Sequence, residues 1–538
     1  MKKMIALLAF LITATVAHAD GQRALVVLKS KETFKQVDVA FKRQGAATLK
    51  TFAARHSPLS QINVKIEDSL SNLSTLVVNV KSSEDLGKLM NSPEVALVDA
   101  EVFHPAPKPM AKPLNGGGFK AASKTPWGIN AVKAPEAWAD SKAGAGAKVL
   151  VLDTGIDKDH PALAPNFVKG QDFVGDNNGP YPFFDNNGHG THVSGTIAGA
   201  KLPDGFVGVA PSAKIYTGRV CSNEGCSNVA IAKAINWGIS ENVDVISMSL
   251  GGMWSTPAER MAVSAADKAG IAVVAASGNN GSNKVSYPAA LPTVVAVGAI
   301  DSDLKRADFS QYGPELAVVA PGVAVNSSVP VGAGRESEVK IIMNGRSQVV
   351  SSTTFMGGKV VTTPEINKLV AAGLGKVEEF KNIDVRGKFA LISRGEIRFG
   401  EKVSNAMNAG AAGVVIYNNA PGLIQGAITD DGTTLPVGVF MIEQSVGEAI
   451  VSELKGGAEV QASLNIIPTD YSALDGTSMA TPHVSGVVAL MVGANPNASP
   501  AQIKDVLKRT ATALGPNNNN EYGAGLVNAF EAVREIQK

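Results

Sequence analysis

The chain has 538 residues, 45% hydrophobic and 18% charged, with 55 glycines, enough for roughly two to four globular domains with sizeable cores. Its 49 Lys and Arg against 48 Asp and Glu leave a formal charge of +1. No electrostatic case therefore exists for binding nucleic acid or an anionic membrane surface, and the two cysteines alone make a poor zinc site.

The first residues carry a basic start, Lys2-Lys3, an apolar stretch from Ile5 to Val16 and the small-residue pattern Ala17-His18-Ala19. Residues 1–19 read as a secretory signal peptide, because the apolar run is shorter than the roughly 20 residues of a membrane span. Residues 20–104 read as a small α+β unit. Ala24 to Leu28 and Thr75 to Val80 are strand-like, and Ser82 with Asp85 is placed to cap a helix carrying Leu86, Leu89 and Met90. Residues 105–124 hold Pro105, Pro107, Pro109, Pro113 and the triplet Gly116-Gly117-Gly118. Such a segment cannot pack and reads as a linker open to proteolysis.

From residue 125 onward, apolar strand-like runs (215–219, 243–250, 271–277, 294–299) alternate with helical patterns (229–241, 258–270). This alternation predicts an α/β domain, a parallel sheet covered by helices, with functional groups at the C-terminal strand ends. Asp153, after Val149-Leu150-Val151-Leu152, and Ser249 occupy such ends. Cys221 and Cys226 read as a disulfide in an oxidising compartment, closing a small loop worth roughly 2 kcal/mol. Residues 331–467 interrupt the pattern with a strand-like Gly387–Gly395, a helical 399–409 and the apolar Gly413–Asn418. The pattern resumes at 468, where Gly476-Thr477-Ser478-Met479-Ala480 leads into the apolar run Val487–Val492, and Ser499-Pro500 starts an amphipathic helix.

A serine hydroxyl becomes a nucleophile only beside a base that a third group orients. Ser478, His189 in Asn187-Gly188-His189-Gly190-Thr191-His192, and Asp153 in Asp153-Thr154-Gly155 supply one of each, and the chain order Asp, His, Ser is that of one convergent triad. Singly, each has a bland reading: an aspartate after a strand caps a helix, and a histidine pair is structural. Together and in this order the three segments resemble the signatures of subtilisin-like serine proteases, the subtilases.

That resemblance implies a parallel-sheet, three-layer catalytic domain over 125–330 and 468–538. It also implies an α+β inhibitory propeptide over 20–104, a maturation site within 105–124, and an inserted β-rich segment, 331–467, that resembles the protease-associated (PA) domain. Ser478 is then the nucleophile, His189 the general base and Asp153 its orienting acid. Asn279 and the backbone N–H of Ser478 form the oxyanion hole. Ser249, Leu250, Gly251 and Gly252, with Ala276, Ser277 and Gly278, bind an extended substrate, and glycines at the pocket floor imply an apolar residue before the cut bond. His160 and His483 read as local hydrogen-bonding groups, and His192, three residues beyond His189, invites a metal reading but has no clear third ligand.

No cofactor and no metal is required on this reading. A structural calcium lacks a clear ligand loop, since Ala200–Val207 looks short for one, and the oxygens of Asp172, Asp176, Asn177 and Asn178 are the remaining candidates. The expected partners are protein or peptide substrates and the chain's own propeptide. The expected product is a monomer without a membrane anchor after signal cleavage, extracellular or periplasmic. The competing reading is a catalytically silent binding protein that retains its propeptide; a complete triad with Asn279 argues against it.

Overall fold

A computed structural model describes residues 21–44, 49, 58–107, 125–355, 357–424, 428–429, 433–516 and 520–538. The expected signal peptide, nearly all of the expected linker and most of the polar loop 517–520 lie outside the described residues. Those described form two compact units, one from 21–107, 126–328 and 476–538, the other from 329–475.

The chain opens with β1 (Gln22–Leu28), α1 (Lys31–Gln44), β2 (Lys65–Leu70), β3 (Thr75–Val80), α2 (Ser83–Asn91) and β4 (Val95–Ala100). The strands form an antiparallel sheet in the order β2-β3-β1-β4. Alternate residues of β1, Ala24, Val26 and Leu28, enter one core with Phe34 and Val37 of α1 and Leu89 of α2, as a period of two requires. Ser82 caps α2 by accepting from Asp85 N. A short β5 (Phe103–His104) then leaves this sheet.

The next stretch holds β6 (Lys148–Asp153), β7 (Phe167–Asp172), α3 (His189–Ala198), β8 (Lys214–Arg219), β9 (Cys221–Ser222), β10 (Gly225–Ser227), α4 (Asn228–Ser240), β11 (Val245–Met248), α5 (Pro257–Lys268), β12 (Ala272–Ala276), β13 (Val295–Ile300), β14 (Leu316–Pro321) and β15 (Val325–Ser328). Seven strands form a parallel sheet in the order β14-β13-β12-β11-β6-β8-β7. Strands β11, β12 and β13 are buried at every residue, because helices cover both faces, and so they read as unbroken apolar runs. The N-terminal residues pack against the same unit: β5 pairs antiparallel with β10, and β1 lies against α4.

The second unit contains β16 (Gly334–Met343), β17 (Arg346–Val350), β18 (Ser352–Thr354), β19 (Glu365–Ala371), β20 (Phe389–Ser393), α6 (Phe399–Asn408), β21 (Gly413–Tyr417), β22 (Gly438–Ile442), α7 (Gln444–Lys455) and β23 (Val460–Thr469). They build an eight-stranded mixed sheet, β17-β16-β23-β19-β20-β21-β22-β18. Its strands alternate strictly between two cores. Ala390, Ile392, Val414 and Ile416 meet Val403 and Ala406 of α6, whereas Phe389, Leu391, Val415 and Phe440 meet Ile450 of α7.

Back in the first unit, α8 (Thr477–Ala494), α9 (Pro500–Thr510) and α10 (Ala529–Ile536) complete the chain. Helix α8 is buried from Met479 to Val492, so it runs through the domain core rather than over it. Ser499 and Gln502 form a reciprocal capping box on α9, with Pro500 at its first position.

Candidate active site

Three C-terminal strand ends and two helix N-termini converge. Asp153 is the last residue of β6, Ser249 follows β11, and Asn279 lies three residues beyond β12. His189 opens α3, and Ser478 is the second residue of α8. This is the edge of a parallel sheet at which open α/β folds gather ligands.

Asp153 and His189 are fully buried, and Asp153 Oδ1 accepts from His189 Nδ1 at 2.7 Å and from Thr154 N at 2.7 Å. Burial alone would push the imidazole pKa down. The charge and hydrogen bond of Asp153, backed by the charge of Asp185, outweigh this and hold it above the ordinary 6.5. With Nδ1 committed, Nε2 is the nitrogen left for proton transfer.

Asp185 was absent from the sequence-based site, and it organises this end of α3. It accepts from Gly188 N (2.8 Å), Thr191 N (2.8 Å), Thr191 Oγ1 (2.7 Å) and Thr154 Oγ1 (2.8 Å). One buried carboxylate thus satisfies two amides at the start of the His189 helix and ties it to the end of β6. The signal was present as an aspartate followed by Asn186-Asn187-Gly188, a turn-and-cap pattern just before a helix.

The half-buried Ser478 hydroxyl donates to Ser249 O at 3.1 Å, and Ser249 Oγ donates back to Ser478 O at 2.8 Å. Among the described residues, no hydrogen bond joins Ser478 Oγ to His189; the hydroxyl rests on its strand neighbour. Asn279 is held from the helix that carries Ser478. Its Oδ1 accepts from Thr477 N (2.9 Å) and Thr477 Oγ1 (2.8 Å), while the Thr477 hydroxyl accepts from Gly278 N (3.2 Å). A main-chain donor on Oδ1 fixes the amide orientation and turns Nδ2 toward the Gly476–Ser478 turn, where it lies 3.6 Å from the place a Gly476 Cβ would take.

The segments expected to bind substrate are less open than expected. Gly278 has φ +108°, and a Cβ there would sit 2.0 Å from Gln311 Oε1 and 2.6 Å from Ser286 Oγ. Glycine is needed here to admit the Gln311 side chain, and it does not leave an empty floor. Ser277 is spent on structure, its N–H bonded to Val297 O (2.9 Å) and its hydroxyl to Gln311 O (2.8 Å). Gly252 pairs with Tyr287; Leu250 and Ala276 are buried, and Gly251 lies against Tyr287 O.

The remaining candidates resolve locally. Cys221 and Cys226 are disulfide-bonded. His192 Nε2 donates to Val325 O at 2.9 Å, and His160 Nδ1 accepts from Ala162 N at 3.0 Å. His483 Nδ1 donates to Met479 O at 2.9 Å, and burial pushes this imidazole down to about 4, so it is neutral. The oxygens of Asp172 and Asp176, a candidate calcium site, instead flank the Arg219 guanidinium at 3.1 and 2.6 Å. Among the described residues, no group of three or more His, Cys, Asp or Glu is placed to hold a metal ion.

Comparison with known proteins gives one answer from three directions. The subtilase family model matches residues 144–364 and 454–525, and the PA domain model matches 358–450. Subtilisin E of Bacillus subtilis (strain 168) is 36% identical over 62% of this chain and 83% of its own length. M-protease of Shouchella clausii (strain KSM-K16) is 30% identical over 88% of this chain and 83% of its own. The crystal structure of the psychrophilic subtilisin-like protease Apa1 from Pseudoalteromonas sp. AS-11 superposes with a TM-score of 0.59 at 31% identity, covering 77% of this chain and 99% of that one. The chain therefore belongs to the subtilase family, as a subtilisin-like serine peptidase carrying a PA domain.

Proposed function

We propose that the chain is a secreted serine endopeptidase, extracellular or periplasmic, that is made as a self-inhibited zymogen and hydrolyses peptide bonds of proteins through an acyl-enzyme. The observation that carries this reading is the buried His189–Asp153 pair at 2.7 Å, facing a helix whose Thr477 orients Asn279 beside Ser478. A purely binding protein has no use for that combination.

With substrate bound, the Ser478 hydroxyl turns from Ser249 O toward His189 Nε2, a bond that resting sites often leave long. Oγ attacks the carbonyl carbon as its proton passes to Nε2, and Asp153 stabilises the imidazolium. The new oxyanion lies between Asn279 Nδ2–H and Ser478 N–H. Nε2–H then protonates the leaving amine, and water repeats the sequence to release the acid and restore Ser478.

Self-inhibition is supported by how residues 21–107 engage their own unit. Asp99 Oδ2 accepts from Ala258 N at the start of α5 (2.9 Å). Asn228 clamps the chain with bonds to Val102 N (2.9 Å) and Ala100 O (3.1 Å), and Asn72 bonds Asn236 and Ser240 of α4. In this reading, residues 1–19 are the signal, 20–104 the propeptide, and the maturation site lies in 105–124. The test is mass spectrometry of the secreted protein beside Ser478→Ala. The expected result is loss of about the first hundred residues from the wild type alone. Retention by both variants, with no peptidase activity in either, would overturn the reading in favour of a silent binder.

A further inference from the structure

Histidine and glutamate meet where the N-terminal segment crosses the substrate-binding strand. His104 Nε2 donates to Glu259 Oε1 at 3.0 Å, and the two side chains are only 1% and 0% exposed. Glu259 belongs to the first turn of α5, where its backbone N–H bonds the capping Thr256 hydroxyl, while its second oxygen, Oε2, has no partner. Around the imidazole the cavity is shaped as well as charged. The Trp254 ring lies 5.4 Å from it, tilted by 38°, and a Cβ on Gly252 would come within 2.6 Å of Nδ1. The cavity thus has a flat aromatic wall, a missing side chain on another side and a carboxylate at its floor.

The position of this cavity along a bound chain follows from the strand. Gly252 is three residues from Ser249, whose carbonyl holds the Ser478 hydroxyl, a separation of about 10 Å at roughly 3.3 Å per residue. A chain that followed this strand from the position of His104 would reach the nucleophile about three residues later, near Pro107. Removing residues 21–107 would strip Glu259 of its one side-chain partner, and a sheltered carboxylate without a donor is costly.

We propose that Glu259 is a specificity-determining residue, so that the peptidase prefers substrates with histidine three positions ahead of the residue whose carbonyl is attacked. His104 would be the chain's own occupant of that site. This rests on the reading of Ser478 as the nucleophile. A flat ring with an N–H at its tip satisfies wall and floor together. An aliphatic side chain of similar size leaves the carboxylate unpaired, so discrimination follows from the unmet acceptor rather than from shape alone.

The test is a digest of a denatured protein mixture by the secreted protein, with cut sites read by mass spectrometry for wild type, Glu259→Gln, Glu259→Leu and Ser478→Ala. Histidine should be enriched about tenfold at that one position in wild-type cuts, the order expected for one charge-assisted hydrogen bond. Glu259→Gln should reduce the enrichment, and Glu259→Leu should replace it with a preference for aliphatic residues. Abundant wild-type cuts without histidine enrichment there would overturn the proposal while leaving the peptidase reading intact. Cuts that persist in Ser478→Ala would instead overturn the peptidase reading, and the proposal with it. If Glu259→Leu fails to fold, the wild-type profile and Glu259→Gln still decide.

Discussion

Thr477 touches no reacting atom in the proposed mechanism, yet it bonds Asn279 Oδ1 through both its amide (2.9 Å) and its hydroxyl (2.8 Å). Thr477→Val keeps the shape and the amide bond and removes only the hydroxyl. One neutral hydrogen bond is worth about 0.5–1.5 kcal/mol, so if all of it orients the oxyanion donor, kcat falls by about two- to tenfold. Asn279→Ala, which removes the donor itself, should cost about 10²–10³ in kcat, the magnitude established with subtilisin itself. Because the interaction matters only as charge develops, KM should stay near the wild-type value in both variants.

A double-mutant cycle separates positioning from any independent role. Steady-state kcat and KM on a chromogenic peptide, with active sites titrated, would be compared for wild type, both single variants and the double variant. If Thr477 acts through Asn279, Thr477→Val has no further effect once Asn279 is alanine. An equal fold-loss in both backgrounds would refute the argument. The Gly278 N–H, which bonds the same hydroxyl at 3.2 Å, would then be the contact to pursue.

Two further outcomes follow from the site and from the insertion. His189 must be neutral to accept a proton, and Asp153 and Asp185 raise its pKa above 6.5, so kcat/KM should rise with pH through a midpoint above that value. Asp185→Asn removes one raising charge, so the midpoint in its pH–rate profile should move down; an unmoved acid limb would count against the assigned cause. In the second unit, Gly334 stands opposite Thr469 across an antiparallel pair, about 5 Å apart, so a short linker can replace residues 335–468. If this PA-domain unit governs access, the excised enzyme should cleave short peptides nearly as well as wild type while its action on folded proteins changes, and equal losses on both would defeat that role.

What could be read in advance depended on how far each feature is local. Strands β11, β12 and β13 were legible because burial on both faces leaves continuous apolar runs. Edge strand β7, Phe-Val-Lys-Gly-Gln-Asp over 167–172, is half exposed and carries no such signal. The insertion reads as ending at residue 467, with the alternating pattern resuming at 468. Yet Pro468 sits within β23 opposite Arg335, beyond the last residue that pairs with β19, so its missing N–H falls on an open side. Asp153, His189, Ser478 and Asn279 lie in short segments that are bland singly but, taken together and in chain order, resemble the signatures of one family. Glu259 illustrates the opposite case. Read locally, Thr256-Pro257-Ala258-Glu259 is an ordinary helix start with a glutamate at the capping-box position, and the Thr256 hydroxyl does cap the helix. The glutamate's carboxylate, however, is committed to a histidine 155 residues earlier in the chain. His104 in turn reads as the last residue before a proline-rich linker, not as a buried strand residue. A pair whose two members each have a satisfactory local explanation leaves no residue unexplained, and only the folded arrangement brings a carboxylate and an imidazole together beside Gly252, on the strand proposed to bind substrate.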